Sequence, residues 1–188
     1  MHPYDETLLG TAMGTVGKAF DFADKHLPGG MERFYDLFMA SAIARTFDGP
    51  DARPAVNTSG IELVLSVCDG AQGETLDLML MTERRLARDQ RDRAQWCGRM
   101  LVFHQWDSNN TFRAISTYLR AGDLLRLYET QHVACPQAVS LAIEQEFMQV
   151  AAPTRLRSFR AEAGLTQRGL ASESGVSLRA IQQYEQRR

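Results

Sequence analysis

The feature that most constrains this chain is a series of helix stops and caps between residues 154 and 185. Gly164 and Gly175 stand where a left-handed residue can end a helix. Each is followed two residues later by a hydroxyl side chain, Thr166 or Ser177, that can cap the next helix. The spacing therefore predicts three short helices joined by two tight turns, with Thr154 as the first cap. Helices this short depend on one another for stability.

Apolar positions predict that the three helices share one core, formed by Leu156, Phe159, Leu170, Ala171, Ile181 and Tyr184. Ile181 and Tyr184 lie three residues apart in the third helix, so both are predicted to pack on Leu170. This arrangement leaves a second, largely polar face on the third helix, made of Leu178, Arg179, Gln182 and Gln183.

Two helices joined by a tight turn, the second of them polar and capped, form a helix-turn-helix whose second helix can enter a major groove. The segments Gly-Leu-Thr-Gln (164–167), Leu-Ala (170–171), Gly-Val-Ser (175–177) and Ile-Gln-Gln-Tyr-Glu (181–185) resemble the lambda-repressor-like (Cro/XRE-type) DNA-binding domain. The resemblance implies that Gln167 contacts a backbone phosphate. It also implies groove-facing roles for Ser177, Leu178, Arg179 and Gln183, and a buried structural ion pair between Arg160 and Glu185.

The chemistry of these side chains agrees with a base-reading role. Arg179 can contact guanine O6 and N7, and Gln183 can pair with adenine N6 and N7, at roughly 1–3 kcal/mol of discrimination each. Leu178 departs from the polar residues common in the family, and we expect it to touch a thymine methyl or a partner. The full set of candidate DNA-binding residues is Thr166, Gln167, Arg168, Ser177, Leu178, Arg179, Gln182, Gln183 and Arg187. The alternative is a solvated polar face without a ligand.

Charge is distributed unevenly along the chain. Residues 153–188 hold seven arginines and three glutamates, a net charge of +4, whereas the preceding 152 residues hold 14 basic and 20 acidic side chains, a net charge of −6. The basic excess lies where attraction to phosphate is useful, and Arg155, Arg157, Arg187 and Arg188 are candidate backbone contacts. The acidic part is expected to face away from DNA or to bind another protein.

The N-terminal 150 residues are predicted to be helical. Helical spacing of apolar positions, capping signals and breakers favour helices over about 5–27, 31–46, 59–70, 84–106, 112–119, 123–128 and 136–150. Segment 61–67 is also compatible with a strand, and 74–81 is ambiguous. The arginine-rich start of the 84–106 helix is interpreted as a solvated surface, with a second nucleic-acid patch as the alternative.

The predicted fold class is therefore all-α, with an acidic helical domain over 1–150, a join at Pro153 and a helix-turn-helix domain over 153–188. Three further segments are Ser59-Gly-Ile-Glu-Leu63, the Trp96-to-Trp106 segment that ends Phe-His-Gln-Trp, and the terminal Ile-Gln-Gln-Tyr-Glu-Gln. In these segments the whole chain resembles uncharacterised bacterial helix-turn-helix regulators. Lambda-repressor-like domains normally have five helices, whereas this sequence stops at the end of the third. The expectation is a truncated module, or an N-terminal domain that covers the exposed apolar side chains.

Catalysis is not expected. The histidines and the three cysteines show no metal-ligand spacing, so no metal or cofactor is predicted. His104 is interpreted as a hydrogen-bonded core residue. Gly10, Gly14 and Gly17 follow no strand, so they are interpreted as helix-packing positions rather than a phosphate loop. No apolar run is long enough to span a bilayer and no signal peptide is evident, so a cytoplasmic protein is expected.

The sequence thus predicts a bacterial transcription regulator that binds double-stranded DNA as a homodimer, because one such module contacts few base pairs. The main alternative is an antitoxin-like interaction protein. Its acidic N-terminal domain would bind a partner protein, and its helix-turn-helix would regulate its own operon. A ligand-sensing or enzymatic N-terminal domain is a further alternative, although no polar set converges in this sequence.

Overall fold

The computed structural model describes residues 2–49, 57–69, 88–148, 156–157 and 159–186. Every regular element in these ranges is helical, which confirms the all-α class. The chain divides into an N-terminal unit, Met1–Leu141, and a C-terminal unit, Ala142–Arg188. The join predicted at Pro153 and the ambiguous segment 74–81 lie outside the described residues.

The N-terminal unit contains α1 (Glu6–His26), α2 (Gly30–Ala40), α3 (Ala42–Thr46), α4 (Gly60–Asp69), α5 (Arg88–Ser108), α6 (Phe112–Ile115) and α7 (Ala121–Gln131). The division between the units falls within α8 (Pro136–Ile143), which continues as a π-helical turn over Glu144–Met148. The C-terminal unit then contains helical residues at 156–157 and 159–162, followed by α9 (Gln167–Ser174) and α10 (Leu178–Gln186).

Helix α4 begins with the predicted capping box. The Ser59 backbone N–H donates to the Glu62 carboxylate at 2.9 Å, and the Glu62 N–H donates to the Ser59 hydroxyl at 3.2 Å. These two bonds satisfy N–H groups that have no partner within the helix. The helix prediction for this segment is confirmed, and the strand alternative at 61–67 is wrong.

Two predicted helices are shorter than expected. The single helix predicted over 31–46 is broken at Ser41, whose backbone is extended (φ −72°, ψ 157°) and whose hydroxyl caps α3 by accepting from the Ala44 N–H. Ser41 is therefore the N-cap of α3. The helix predicted over 112–119 ends at Ile115 and continues as turns.

Helices α1 and α5 cross at very short range through glycine. A β-carbon at Gly98 would lie 2.8 Å from the Val16 carbonyl oxygen and 3.0 Å from the Gly17 α-carbon. A β-carbon at Gly17 would lie 2.9 Å from the Gln95 carbonyl oxygen. Packing through Gly17 is therefore confirmed, whereas β-carbons at Gly10 and Gly14 would meet nothing within 4 Å.

A cluster of phenylalanines fills the core of the N-terminal unit beside this crossing. Its fully buried members are Phe20, Phe34, Phe38, Phe47 and Phe112. Phe38 and Phe112 meet edge to face, with ring centroids 5.0 Å apart. Edge-to-face contacts of this kind are favourable beyond the area that they bury. The cluster joins α2 to α6, which are far apart in the sequence, and so it fixes the position of one helix relative to the other.

His104 is a buried core residue, as the sequence predicts. Its Nδ1 lies 3.0 Å from the Ser140 hydroxyl and its Nε2 lies 2.8 Å from the Tyr118 hydroxyl, so both ring nitrogens have partners. The side chain is fully inaccessible to solvent. Burial lowers the pKa of His104 from 6.5 to about 4, because the charged imidazolium loses its hydration.

Candidate nucleic-acid interface

The helical residues 156–157 and 159–162, which we call the first helical segment of the candidate interface, end at the predicted glycine. Gly164 adopts the left-handed conformation (φ 66°). Its N–H donates to the Ala161 carbonyl and the Leu165 N–H donates to the Arg160 carbonyl, each at 3.0 Å. These are the two bonds of a Schellman stop, so the predicted C-terminus is confirmed. Its predicted N-cap, Thr154, lies outside the described residues.

Helices α9 and α10 are bounded by the predicted caps. The Thr166 hydroxyl accepts from the Gly169 N–H at 3.0 Å, and the Ser177 hydroxyl accepts from the Ala180 N–H at 3.2 Å. Gly175, at φ 70°, ends α9 in the left-handed region, which favours glycine. Three residues, 175–177, therefore separate two helices of eight and nine residues.

Helix α10 has a buried side and a polar exposed side. Ile181 is 4% exposed and Glu185, one turn later, is 2% exposed. The exposed side chains include Arg179, Gln182 and Gln183. The prediction that Tyr184 packs inward with Ile181 is wrong, because Tyr184 is 40% exposed. The inward position is taken by Glu185 at i+4, since its carboxylate has bonding partners on the other two helices.

The Glu185 carboxylate connects the first helical segment, α9 and α10. It accepts hydrogen bonds from Arg160 Nε at 2.8 Å and from a terminal Arg160 nitrogen at 3.1 Å, in a two-pronged ion pair. It also accepts from Gln167 Nε2 at 2.7 Å. Arg157 donates to the Glu185 backbone carbonyl. We call Arg157, Arg160, Gln167 and Glu185 the Glu185 cluster.

The cluster also holds the turn before α9. The remaining terminal nitrogen of Arg160 donates to the Leu165 carbonyl at 2.9 Å. A guanidinium can make these bonds together because its donors lie in one plane in a fixed fork. Arg160 thus joins the end of the first helical segment to α10, and the orientation of α10 follows from that geometry.

The charges of the cluster stabilise each other. The hydrogen bonds from Arg160 lower the pKa of Glu185 below its ordinary value, although burial opposes the shift, and the Gln167 bond acts in the same direction. The bond to Glu185 likewise raises the pKa of Arg160. Both groups are therefore charged at neutral pH, and the buried carboxylate is fully paired, as a buried charge must be.

Most of the candidate DNA-binding residues are accessible. Thr166, Arg168, Ser177, Arg179, Gln182 and Gln183 are exposed. Leu178 and Gln167 are half-buried. Because the Gln167 amide nitrogen binds Glu185, a phosphate would have to share that donor group or displace it. Arg187 lies outside the described residues, as do the candidate backbone contacts Arg155 and Arg188.

Sequence reasoning did not anticipate two members of the cluster. Gln167 and Arg157 are predicted to contact phosphate. Gln167 instead binds the carboxylate of Glu185, 18 residues later, and Arg157 binds the Glu185 backbone carbonyl, 28 residues later. No local spacing rule connects such positions. The prediction that Phe159 belongs to the shared apolar core is also wrong, because its side chain is 52% exposed.

Neither a metal site nor a membrane-spanning helix is found in the described part of the chain. No group of three or more His, Cys, Asp or Glu side chains there is placed to hold a metal ion. None of its helices combines the length and the apolar character that a membrane span requires. Comparison with protein-family models, with curated proteins and with solved structures finds no match to this chain.

Proposed function

We propose that the C-terminal unit binds double-stranded DNA, and that the protein is a sequence-specific transcription regulator acting in the cytoplasm. The observation that carries this proposal is the division of α10 into two sides. Ile181 and Glu185 hold the helix to its neighbours, and Arg179, Gln182 and Gln183 remain exposed. The resemblance of 164–185 to lambda-repressor-like domains supports the same conclusion.

The dimensions of α10 suit a major groove. An α-helix with its side chains is about 10–12 Å wide, and the major groove of B-DNA is about 12 Å wide. Arg179 and Gln183 are four residues apart, so they follow one another along the same side of the helix. In this arrangement the guanidinium of Arg179 contacts a guanine, and the amide of Gln183 contacts an adenine.

The charge of this part of the chain supports binding to phosphate. Residues 153–188 carry a net charge of +4, although the whole chain carries −2. Among the described residues, Arg168 lies in the first turn of α9 and is exposed. A cation near a helix N-terminus, beside backbone N–H groups, is well suited to a phosphate oxygen. Affinity should therefore fall steeply as salt concentration rises.

Selection of bound oligonucleotides with the full chain, at low ionic strength, tests the proposal. An enriched sequence is the expected result. The Arg179→Ala variant should then lose preference at one base pair, and Arg168→Ala, which removes the same charge, should weaken binding to all sequences alike. If no sequence is enriched, or if Arg179→Ala weakens every sequence equally, the proposed groove-reading role of α10 is wrong.

A further inference from the structure

A cleft in the N-terminal unit has the size and lining of a small-molecule site. Its volume is about 920 Å³, within the range common for ligand pockets. Helices α2 and α3 supply one part of its lining, and the segment from Phe112 to Asp123 supplies another. The buried side chains of Tyr35, Met39, Ala44, Phe112 and Ala121 line the cleft, and we call this part of its lining the floor.

Three exposed arginines line this cleft: Arg45, Arg113 and Arg120. In the ranges that the structure describes, none of their guanidinium groups forms an ion pair or a hydrogen bond with a protein group. An unpaired guanidinium keeps all of its fork of donors for a carboxylate or phosphate. The cleft therefore has a surplus of anion-binding capacity.

Two unpaired carboxylates line the same cleft. Glu32 and Asp36 lie one turn apart on α2, both exposed, and no described side chain pairs with either. The other two acidic residues are already used. Asp123 pairs with Arg126 at 2.6 Å and caps α7, and Asp48 accepts from the Phe112 N–H at 3.4 Å. The free charges are thus of both signs, with the acidic ones grouped on α2.

Two ionisable side chains that line the cleft are removed from solvent, Tyr35 almost completely and Asp48 in part. Burial raises the pKa of the Asp48 carboxyl above its ordinary value. Burial, with Asp36 and Asp123 nearby, also raises the pKa of Tyr35. Both shifts reflect the loss of water around a charged form. An apolar group placed on this floor would be removed from water, and charges at its edge would interact more strongly than on an open surface.

We propose that this cleft binds a small zwitterion, namely an α-amino acid or a short peptide with both ends free. The carboxylate binds Arg113 and Arg120, the ammonium binds Glu32 and Asp36, and an apolar side chain lies on the floor. A purely anionic ligand would be repelled by the carboxylates of α2, and a purely cationic ligand would be repelled by the arginines. This inference goes beyond DNA binding and does not rest on it.

The structure places charged side chains of the N-terminal unit around one cleft, which the sequence alone does not indicate. The charged residues come from two stretches, 32–48 and 112–123, that are separated in the sequence by more than sixty positions. The fold brings them together when α2 packs against α6 and α7. Each stretch by itself has the appearance of an ordinary solvated surface.

Isothermal titration calorimetry of the full chain with L-phenylalanine and with the peptide Ala-Phe-Ala tests the proposal. At least one of them should bind saturably with a Kd of about 1 mM or tighter. N-acetylation, which removes the cation, and C-terminal amidation, which removes the anion, should each weaken that binding by about tenfold or more. If neither probe binds saturably, or if both capped derivatives bind as well as the parent compound, the proposal is overturned.

Paired variants test which charged side chains bind the two ends of the zwitterion. Arg113→Gln should weaken the zwitterion by about tenfold while leaving its amidated derivative unaffected, and Glu32→Gln should weaken the zwitterion while leaving its acetylated derivative unaffected. Arg33→Gln and Glu129→Gln make the same charge changes outside the cleft and should leave binding unchanged. All four positions are solvent-exposed, so circular dichroism should show intact folding. Equal Kd values in Arg113→Gln, Glu32→Gln and their controls would overturn the assignment.

Discussion

Glu185 shows how one side chain determines the geometry of the C-terminal unit. Its carboxylate is 2% exposed and binds Arg160 from the first helical segment and Gln167 from the start of α9. A carboxylate left unpaired at this depth would be costly, because its lost hydration would not be replaced. The ion pair with Arg160 therefore stabilises one relative orientation of the helices, and with it the direction of the exposed side of α10.

We predict that Glu185→Gln lowers the melting temperature of the C-terminal unit and weakens DNA binding without altering base preference. The amide cannot satisfy both Arg160 and Gln167, because its NH2 group opposes other donors. Glu173→Gln is the matched control, since it removes the same charge from an exposed position on α9. Circular dichroism melting and binding assays on the selected sequence compare the two. Equal melting temperatures would contradict the role given to the cluster.

Acid should weaken the same unit. The pKa of Glu185 is lower in the folded state than its ordinary value of 4.5, mainly because of the Arg160 hydrogen bonds. The unfolded chain therefore takes up the proton first, and the stabilisation is present above pH 4.5 and is lost as the pH falls further. The protection factor for amide hydrogen exchange in α10, which corrects the exchange rate for its intrinsic pH dependence, should fall below that value in the native chain. In Glu185→Gln this fall should be smaller.

The lowered pKa of His104 predicts that the N-terminal unit loses stability over a different pH range. Its folded pKa is about 4 and its ordinary value is 6.5. Between these values the unfolded state binds the proton and the folded state does not, so stability falls as the pH is lowered from 6.5 to 4, by about 3 kcal/mol in all. Urea unfolding at several pH values measures this slope. The His104→Phe variant should have a flatter slope, and an unchanged slope would contradict this account.

At the scale of the elements, replacing glycine by alanine should have opposite effects on stability at Gly98 and at Gly10. Gly98→Ala should destabilise the N-terminal unit by about 1–3 kcal/mol, because the new β-carbon would lie 2.8 Å from the Val16 carbonyl oxygen and would force α1 and α5 apart. Gly10→Ala meets nothing within 4 Å and should stabilise α1 by about 0.5–1 kcal/mol. Thermal melting of both variants tests the prediction, which fails if the two shifts have the same sign.

The helix ends that the sequence predicted correctly depend on local bonds. Thr166, Ser177 and the Ser59–Glu62 capping box each act on N–H groups within three residues, so their patterns are visible in a single sequence. The break at Ser41 uses the same kind of cap, but the apolar spacing continues through it and hides it. The close approach of Gly98 to Val16 depends on a neighbouring helix, and no local pattern indicates it.

The candidate interface was partly predictable for the same reason. The exposed positions of Arg179, Gln182 and Gln183 follow from helical spacing, whereas the choice of Glu185 over Tyr184 as the inward residue depends on Arg160, 25 residues earlier. The resemblance to a known family anticipated that ion pair, and the residues alone did not. The charged cleft, built from stretches far apart in the sequence, was not anticipated at all.

At the scale of the whole molecule, we predict a homodimer on DNA. One nine-residue helix spans few base pairs, and two such helices about one helical turn apart would give useful specificity. Light scattering of the full chain with and without the selected oligonucleotide measures the mass of the complex. A complex with one protein per duplex under all conditions would contradict the dimer, and the selected sequence should then lack two-fold symmetry.

The sparse apolar interior around α10 affects how temperature acts on the protein. Among the described residues from 156 to 186, Ile181 is the one buried apolar side chain. Unfolding of this region therefore exposes little hydrocarbon, and its heat-capacity increment should be below the usual value of about 12–15 cal/mol/K per residue. A small heat-capacity increment gives a flatter curve of unfolding free energy against temperature. Cooling should consequently weaken this part less than it weakens the phenylalanine-rich core of the N-terminal unit.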